Sequence, residues 1–255
     1  MSEDSGRVDA GGVSIAWQAV GPADGRPVLV VHGFGSNRQA NWLDAGWAEP
    51  LEAAGIRGIL VDLRGHGESD KPVGPEHYAP AAFLDDLVAV LDALGLERVG
   101  VLGYSFGARL GWELGRAHPG RVSALVLGGF GVRDPMTGFD VAAARRFVAS
   151  GEEIADPMTS QLMRMASLVP GNDLARIVDV AQAIGSSGLG AVEAATRPTA
   201  PVLFAAGERD DVAAGVDSFA AEAGAEYVAL GPRSHASAIT ARGFKEAAGR
   251  FLTAS

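Results

Sequence analysis

A serine between two glycines lies where the sequence changes from a strand pattern to a helix pattern. Residues 98–102 form a short apolar run typical of a buried strand, and apolar residues then recur every four positions as far as about His118, which predicts a helix. The junction reads Gly103-Tyr104-Ser105-Phe106-Gly107. Because glycine has no Cβ, the chain can turn sharply here and hold the Ser105 hydroxyl at the start of the helix. We therefore predict Ser105 as a nucleophile.

A base for this serine is expected among the five histidines, because a serine hydroxyl needs a base within hydrogen-bond reach. His77 and His118 lie close to prolines outside the predicted strands, and we expect both to be exposed to solvent. His32 and His66 lie within glycine-containing loops, and we expect them to shape those loops. His235 lies between the last predicted strand and the last predicted helix. We predict His235 as the base.

Two adjacent carboxylates follow a predicted strand and could orient this histidine. The strand covers residues 201–205, and Asp210 and Asp211 come shortly after it. One of them is expected to accept a hydrogen bond from His235, and the other to be a solvated charge at the start of the next helix.

The elements around these residues alternate between apolar runs and helical patterns. Residues 7–20 predict an antiparallel hairpin, and buried strands are predicted at 27–31, 59–61, 98–102, 124–127, 201–205 and 226–230. Helices are predicted at 42–54, 80–94, 105–118, from Asp211 to about 223 and 235–251. This alternation predicts a mostly parallel sheet with right-handed crossovers, whose ligand site lies at the carboxyl ends of the strands. His32, Asp62 and Ser105 all fall at that edge.

The glycine loop at His32, the serine turn, the aspartate loop and His235, in this order, resemble the motifs of the α/β-hydrolase family. The resemblance extends from about residue 13 to 253. It implies a sheet of about eight strands, mostly parallel, with an antiparallel hairpin at the N-terminus. The family order of nucleophile, acid and base matches Ser105, Asp210 and His235, and its Gly-x-x-Asp spacing selects Asp210 over Asp211. Some relatives place the acid after the preceding strand, where Asp134 stands.

The resemblance also implies an oxyanion hole and a helical lid. The backbone N–H groups of Phe34 and Phe106 correspond to the two oxyanion donors. Residues 132–197 lack strand-like runs and predict three or four short helices, inserted as a cap into a core domain of residues 1–131 and 198–255. Of the methionines in this segment, we expect Met136, Met163 and Met165 to contact an apolar substrate. Packing within the lid itself is the alternative for each of them.

Differences from particular branches of the family narrow the chemistry. Epoxide hydrolases and haloalkane dehalogenases have aspartate where this chain has Ser105, and carbon–carbon bond hydrolases have Asn and Trp where it has Tyr104 and Ala236. The pattern favours a carboxylesterase-like serine hydrolase that cleaves a small to medium apolar ester through an acyl-enzyme. A lactone, a thioester or a carbon–carbon bond is the enzymatic alternative. A ligand-binding relative without turnover is the non-enzymatic alternative.

The composition of the 255 residues limits the partners and cofactors. A formal net charge of −10, with no basic stripe, argues against a nucleic-acid partner. The chain has no cysteine and no visible metal-ligand cluster, so we expect no metal and no cofactor. The polar, acidic N-terminus does not resemble a signal peptide, and no apolar run approaches the ~20 residues that span a bilayer. We therefore expect a cytoplasmic protein with a small-molecule substrate and no membrane partner, while its oligomeric state is not indicated.

Overall fold

The computed structural model describes residues 4–133, 136–187, 189 and 192–254. Its strands are β1 (Ser5–Asp9), β2 (Ser14–Val20), β3 (Arg26–Val31), β4 (Ile56–Val61), β5 (Val99–Tyr104), β6 (Val122–Gly128), β7 (Val202–Ala206) and β8 (Glu226–Ala229). They form one sheet in the order β1-β2-β4-β3-β5-β6-β7-β8. The pairs β1–β2 and β2–β4 are antiparallel and all the others are parallel. This arrangement confirms the predicted sheet and its N-terminal hairpin.

The α-helices of the described residues are α1 (Ala48–Ala53), α2 (Pro80–Ala93), α3 (Phe106–Ala117), α4 (Val141–Ser150), α5 (Pro157–Ser167), α6 (Leu174–Ser187), α7 (Val216–Glu222), α8 (His235–Ala238) and α9 (Arg242–Ala254). Short turns of other helix types cover Gln39–Leu43, Pro75–His77 and Ala194–Thr196. Among the described residues, none of the helices combines the length and the apolar character needed to cross a membrane.

Three predicted helices differ from the observed ones. The helix predicted from Asp211 to about 223 begins only at Val216, directly after Gly215, which adopts φ 82°. The helix predicted over residues 42–54 begins only at Ala48, because Gly46 adopts φ 73°, which a right-handed helix does not allow. The helix predicted over residues 235–251 is divided into α8 and α9. The carbonyl of Ile239 accepts a hydrogen bond from the Trp47 indole at 3.0 Å. This carbonyl lies between α8 and α9, and its partner is the side chain of the residue that precedes α1.

The core consists of two apolar layers, one on each face of the sheet. Side chains alternate along β3, so that Leu29 and Val31 belong to one layer while Val28 and Val30 belong to the other. All four side chains are fully buried, as expected for a parallel strand covered by helices on both faces. This double burial fixes the positions of the strand ends, and with them the loops that follow the strands.

Three helices, α4 to α6, lie in the chain between β6 and β7, where three or four short helices are predicted. The starts of α4 and α5 follow ordinary capping chemistry: the side chains of Asp140 and Asp156 accept hydrogen bonds from the N–H groups of Ala143 and Thr159. We call these helices and their connections the inserted segment (residues 132–197).

Candidate active site

The serine turn is the one place in the described chain where a non-glycine residue has a positive φ. Ser105 lies between β5 and α3 with φ 55° and ψ −117°. A Cβ on Gly103 would lie 2.4 Å from the carbonyl oxygen of Gly107, and a Cβ on Gly107 would lie 2.2 Å from that of Val31. Only glycines allow the strand and helix to approach this closely. The surrounding packing therefore holds Ser105 in a strained conformation, with its side chain at the carboxyl edge of the sheet.

Ser105, His235 and Asp210 form a continuous series of hydrogen bonds. Nε2 of His235 is 2.9 Å from Oγ of Ser105, and Nδ1 is 2.9 Å from both carboxylate oxygens of Asp210. Because a carboxylate only accepts, the Nδ1 proton of His235 is directed at Asp210 and the Nε2 lone pair at the serine hydroxyl. This tautomer can remove a proton from Ser105.

The loop after β7 brings Asp210 to the histidine and leaves Asp211 exposed at the surface. The Asp210 carboxylate is buried and also accepts hydrogen bonds from the N–H groups of Val212 and Ala213, each at 3.1 Å. These bonds orient the carboxylate before it meets His235. Asp134, the third candidate for the acid, lies outside the described residues.

Tyr104 supports the histidine in a way that the sequence pattern did not reveal. Its hydroxyl donates to the backbone carbonyl of His235 at 2.5 Å, and the two ring centroids are 5.4 Å apart. Burial raises the pKa of the Tyr104 hydroxyl, so it stays protonated and acts as a donor. Its position directly before the nucleophile, at the end of β5, is the only sequence signal for such a contact.

Two backbone N–H groups beside Ser105 are available to an anion. Phe106 is the first residue of α3, so its N–H has no acceptor within the helix. The N–H groups of Gly33 and Gly35 donate to Oδ1 of Asn41 and Nε2 of His66, each at 3.1 Å. The N–H of Phe34, between them, donates to none of the described residues. Both phenylalanines line the cavity that contains Ser105.

His32 and His66 are fully buried and serve as hydrogen-bonding parts of the loops. Nδ1 of each ring donates to a backbone carbonyl, that of Gly33 at 2.8 Å for His32 and that of Arg64 at 2.9 Å for His66. Nε2 of each ring accepts a backbone N–H. Burial lowers the pKa of His32 to about 4 and that of His66 to about 3, so both rings are neutral at pH 7.

The other two histidines lie away from the site. His77 is exposed, as predicted, whereas His118, which was also predicted to be exposed, is half-buried. Among the described residues, no three His, Asp or Glu side chains form a group that could hold a metal ion.

Two cavities meet at Ser105. The first, which we call the apolar cavity, has a volume of about 60 Å³ and is lined mainly by Phe106, Met136, Leu162, Ile184, Leu189 and Val212. The second cavity, of about 170 Å³, extends past Asn41 and Ala236. Ser105, His235, Phe34 and Met165 border both cavities. A substrate bound at Ser105 can therefore place one part in each cavity.

The three methionines predicted to contact substrate occupy different positions. Met136 lines the apolar cavity, and Met165 lines both cavities. Met163 is fully buried in the core and lines neither cavity. Leu162 and Ile184, which the sequence did not single out, line the apolar cavity instead. All the helices of the insertion carry apolar residues, so the sequence does not show which of these residues face the cavity.

Comparisons with known proteins place this geometry in a family. A family model described as the alpha/beta hydrolase fold matches residues 26–172. The putative 2-succinyl-6-hydroxy-2,4-cyclohexadiene-1-carboxylate synthase of Bacillus subtilis is 38% identical over 117 residues, which make up 46% of this chain and 40% of that protein. The 2-hydroxymuconate semialdehyde hydrolase of Pseudomonas sp. strain CF600 is 32% identical over 188 residues, 68% of this chain and 66% of that protein.

A similar solved structure covers the whole chain. The crystal structure of a hydrolase from Pseudomonas aeruginosa has a TM-score of 0.78 and 26% sequence identity, with 99% of both chains covered. By contrast, the chain spans only 36% to 40% of the length of three of the curated relatives that it matches. Because the family model matches more than half of the chain, the chain belongs to the α/β-hydrolase fold family.

Proposed function

We propose that the protein is a serine hydrolase that cleaves a small to medium apolar ester through an acyl-enzyme intermediate. The observation that carries this proposal is the hydrogen-bonded series of Ser105, His235 and Asp210 at the border of an apolar cavity. A serine with an imidazole nitrogen at 2.9 Å and a buried carboxylate behind that imidazole has the arrangement needed for acyl transfer.

In the first half of the reaction, Oγ of Ser105 attacks the ester carbonyl while Nε2 of His235 takes its proton. Asp210 keeps the imidazole in the correct tautomer and stabilises the imidazolium. The carbonyl oxygen becomes negatively charged and accepts hydrogen bonds from the N–H groups of Phe34 and Phe106. When the carbonyl re-forms, the bond to the alcohol oxygen breaks, and His235 returns the proton to that oxygen.

In the second half, water replaces the alcohol. His235 removes a proton from the water, whose oxygen attacks the acyl carbonyl of the Ser105 ester. Collapse of this second tetrahedral intermediate breaks the bond to Oγ of Ser105, which regains the proton from His235. The products are a carboxylic acid and the free enzyme, so no further reactant is required.

The size of the apolar cavity supports a small group on one side of the scissile bond. A cavity of about 150 Å³ can bind benzene, whereas this cavity has about 60 Å³. The larger part of the substrate is assigned to the second cavity, which has nearly three times this volume. We propose that the inserted segment acts as a lid on a core domain of residues 1–131 and 198–255, because Leu162, Met165 and Ile184 contribute to the cavity wall.

Cleavage of a carbon–carbon bond is the second candidate, favoured by the similarity to a semialdehyde hydrolase. The same serine, histidine and aspartate would then act on a ketone carbonyl. Tyr104 and Ala236 argue against it, since the branch specialised for that reaction has Asn and Trp at these positions. A lactone or thioester fits the same steps as an ester, and only substrate comparison separates them.

A fluorophosphonate probe together with a panel of p-nitrophenyl esters and lactones tests the proposal. The wild-type protein is expected to form a covalent adduct at Ser105, identified by peptide mass spectrometry, and to cleave p-nitrophenyl esters of the panel. A protein that forms no adduct and cleaves no member of the panel would be a ligand-binding relative. An adduct without ester or lactone cleavage would direct attention to carbon–carbon substrates.

A further inference from the structure

Gly35, the residue after Phe34, is hydrogen-bonded on both of its sides. Its N–H donates to Nε2 of His66 at 3.1 Å, and its carbonyl oxygen accepts from Nδ2 of Asn172 at 2.7 Å. His66 follows β4, whereas Asn172 lies in the connection between α5 and α6. The residue next to Phe34 is therefore held by the sheet on one side and by the inserted segment on the other.

Asn172 also holds the end of α5. Its Nδ2 donates a second hydrogen bond, at 2.9 Å, to the carbonyl oxygen of Ala166. Because both partners are carbonyl oxygens, which only accept, the amide must direct its nitrogen at them. Ala166 lies in the last turn of α5, and its carbonyl oxygen also accepts the backbone N–H of Val169 at 3.3 Å. One amide group thus connects the end of α5 to Gly35.

The loop and the helix end are in close contact around this amide. A Cβ on Gly35 would lie 2.9 Å from Cβ of Ala166, and Gly35 has φ 65°, which favours glycine. Ala166 is fully buried in this contact. The contact leaves no space between the loop and α5, so a shift of α5 would displace Gly35 as well.

We propose that Asn172 is a positioning residue that couples the inserted segment to the oxyanion hole. The inference rests on the proposed function, in which the N–H of Phe34 stabilises the oxyanion. Asn172 lines neither cavity at Ser105, so it acts through Gly35 and has no contact with substrate. The N–H of Phe34 is correctly directed only while α5 is docked as it is here.

Asn172→Ala removes both hydrogen bonds and is expected to lower kcat about tenfold, the effect of losing roughly one net hydrogen bond in the transition state. KM for a small ester should stay within about twofold, because no substrate contact is lost. Asn172→Asp keeps the size but cannot donate, and its loss should be at least as large. Ser167→Ala is the matched control: Ser167 is exposed, its hydroxyl donates to the carbonyl of Arg164 in the same helix, and the change should leave kcat unchanged.

Two measurements separate positioning from a general loss of structure. The first is the ratio of kcat/KM for an ester to that for its thionoester, whose sulfur accepts hydrogen bonds weakly. This ratio should fall in Asn172→Ala if oxyanion stabilisation is weakened, and stay at the wild-type value in Ser167→Ala. The second is hydrogen exchange of the peptide covering residues 33–36, which should become faster in Asn172→Ala while exchange in β5 does not change.

The outcomes distinguish this inference from the proposed function. An unchanged kcat in Asn172→Ala, or a lower kcat with an unchanged ester to thionoester ratio, overturns the positioning role. If the wild-type protein cleaves no ester, or if Ser105→Ala stays active, the proposed function fails. In that case, hydrogen exchange alone tests whether Asn172 couples the inserted segment to the loop at Gly35. Unchanged exchange at residues 33–36 in Asn172→Ala overturns this coupling, and faster exchange confined to that loop supports it.

Discussion

At the scale of single residues, two neighbouring aspartates have different surroundings. Asp210 is buried against His235, and Asp211 is exposed. Asp210→Asn keeps the shape but removes the charge that holds the His235 tautomer, and in serine proteases the equivalent change lowers kcat by about 10⁴. We expect a loss of this order for Asp210→Asn and a nearly normal kcat for Asp211→Asn, measured with p-nitrophenyl acetate. If both variants stay active, Asp134→Asn becomes the variant to test.

The strain at Ser105 leads to a prediction that links activity and stability. Ser105→Ala and Ser105→Gly should both lose ester hydrolysis. Only glycine also relieves the strain of the positive φ, which is worth about 1–3 kcal/mol. Glycine also makes the unfolded chain more flexible, which lowers stability, but by less than this strain. The free energy of unfolding in urea should therefore rise by about 1 kcal/mol in Ser105→Gly and stay unchanged in Ser105→Ala. Equal stabilities of the two variants would contradict a strained turn.

At the scale of the element, α5 directs two nearby methionines to different surroundings. Residues two apart on a helix face different sides, and Met165 lines both cavities while Met163 is fully buried in the core. Met165→Ala should shift the ester chain-length preference with little change in stability. Met163→Ala should cost about 2–5 kcal/mol in urea unfolding, as buried Met→Ala changes do, and keep the preference. The same change in preference for both variants would contradict this division.

At the scale of the whole molecule, two buried neutral histidines make stability depend on pH. In the folded protein the pKa values of His32 and His66 are about 4 and about 3, below the value of 6.5 for an exposed histidine. Their stabilising contribution is complete above pH 6.5 and decreases as the pH falls, because the unfolded chain binds protons first. Between pH 7 and 5.5, each should contribute a loss of about 1 kcal/mol.

Urea unfolding at these two pH values checks this expectation, while the sequence pI of about 4.9 makes a lower pH unsuitable because of precipitation. His77→Gln, a change at an exposed position, should keep the wild-type pH dependence. His66→Gln should remove about half of it. A stability that does not change between pH 7 and 5.5 would contradict buried, neutral rings.

Most of the sheet could be predicted because its signals are local. The apolar runs of the parallel strands, the hairpin before them and the glycines around Ser105 each depend on residues that are close in the chain. The predicted helices at 42–54 and 235–251 were too long for a physical reason. A positive φ at Gly46 interrupts the first, and the second is broken where the Ile239 carbonyl meets Trp47, a partner distant in sequence.

By itself, the sequence determined the fold class and the order in which Ser105, Asp210 and His235 occur, since these follow from periodicity and motif spacing. Only the tertiary structure decided which groups touch. Tyr104 meets the His235 carbonyl across 131 positions, and Asn172 meets Gly35 across 137. The packing of α5 against the rest of the molecule likewise decided which side of this helix faces the cavity. Such contacts depend on how whole elements pack, and a local pattern carries no information about a partner brought near only by folding.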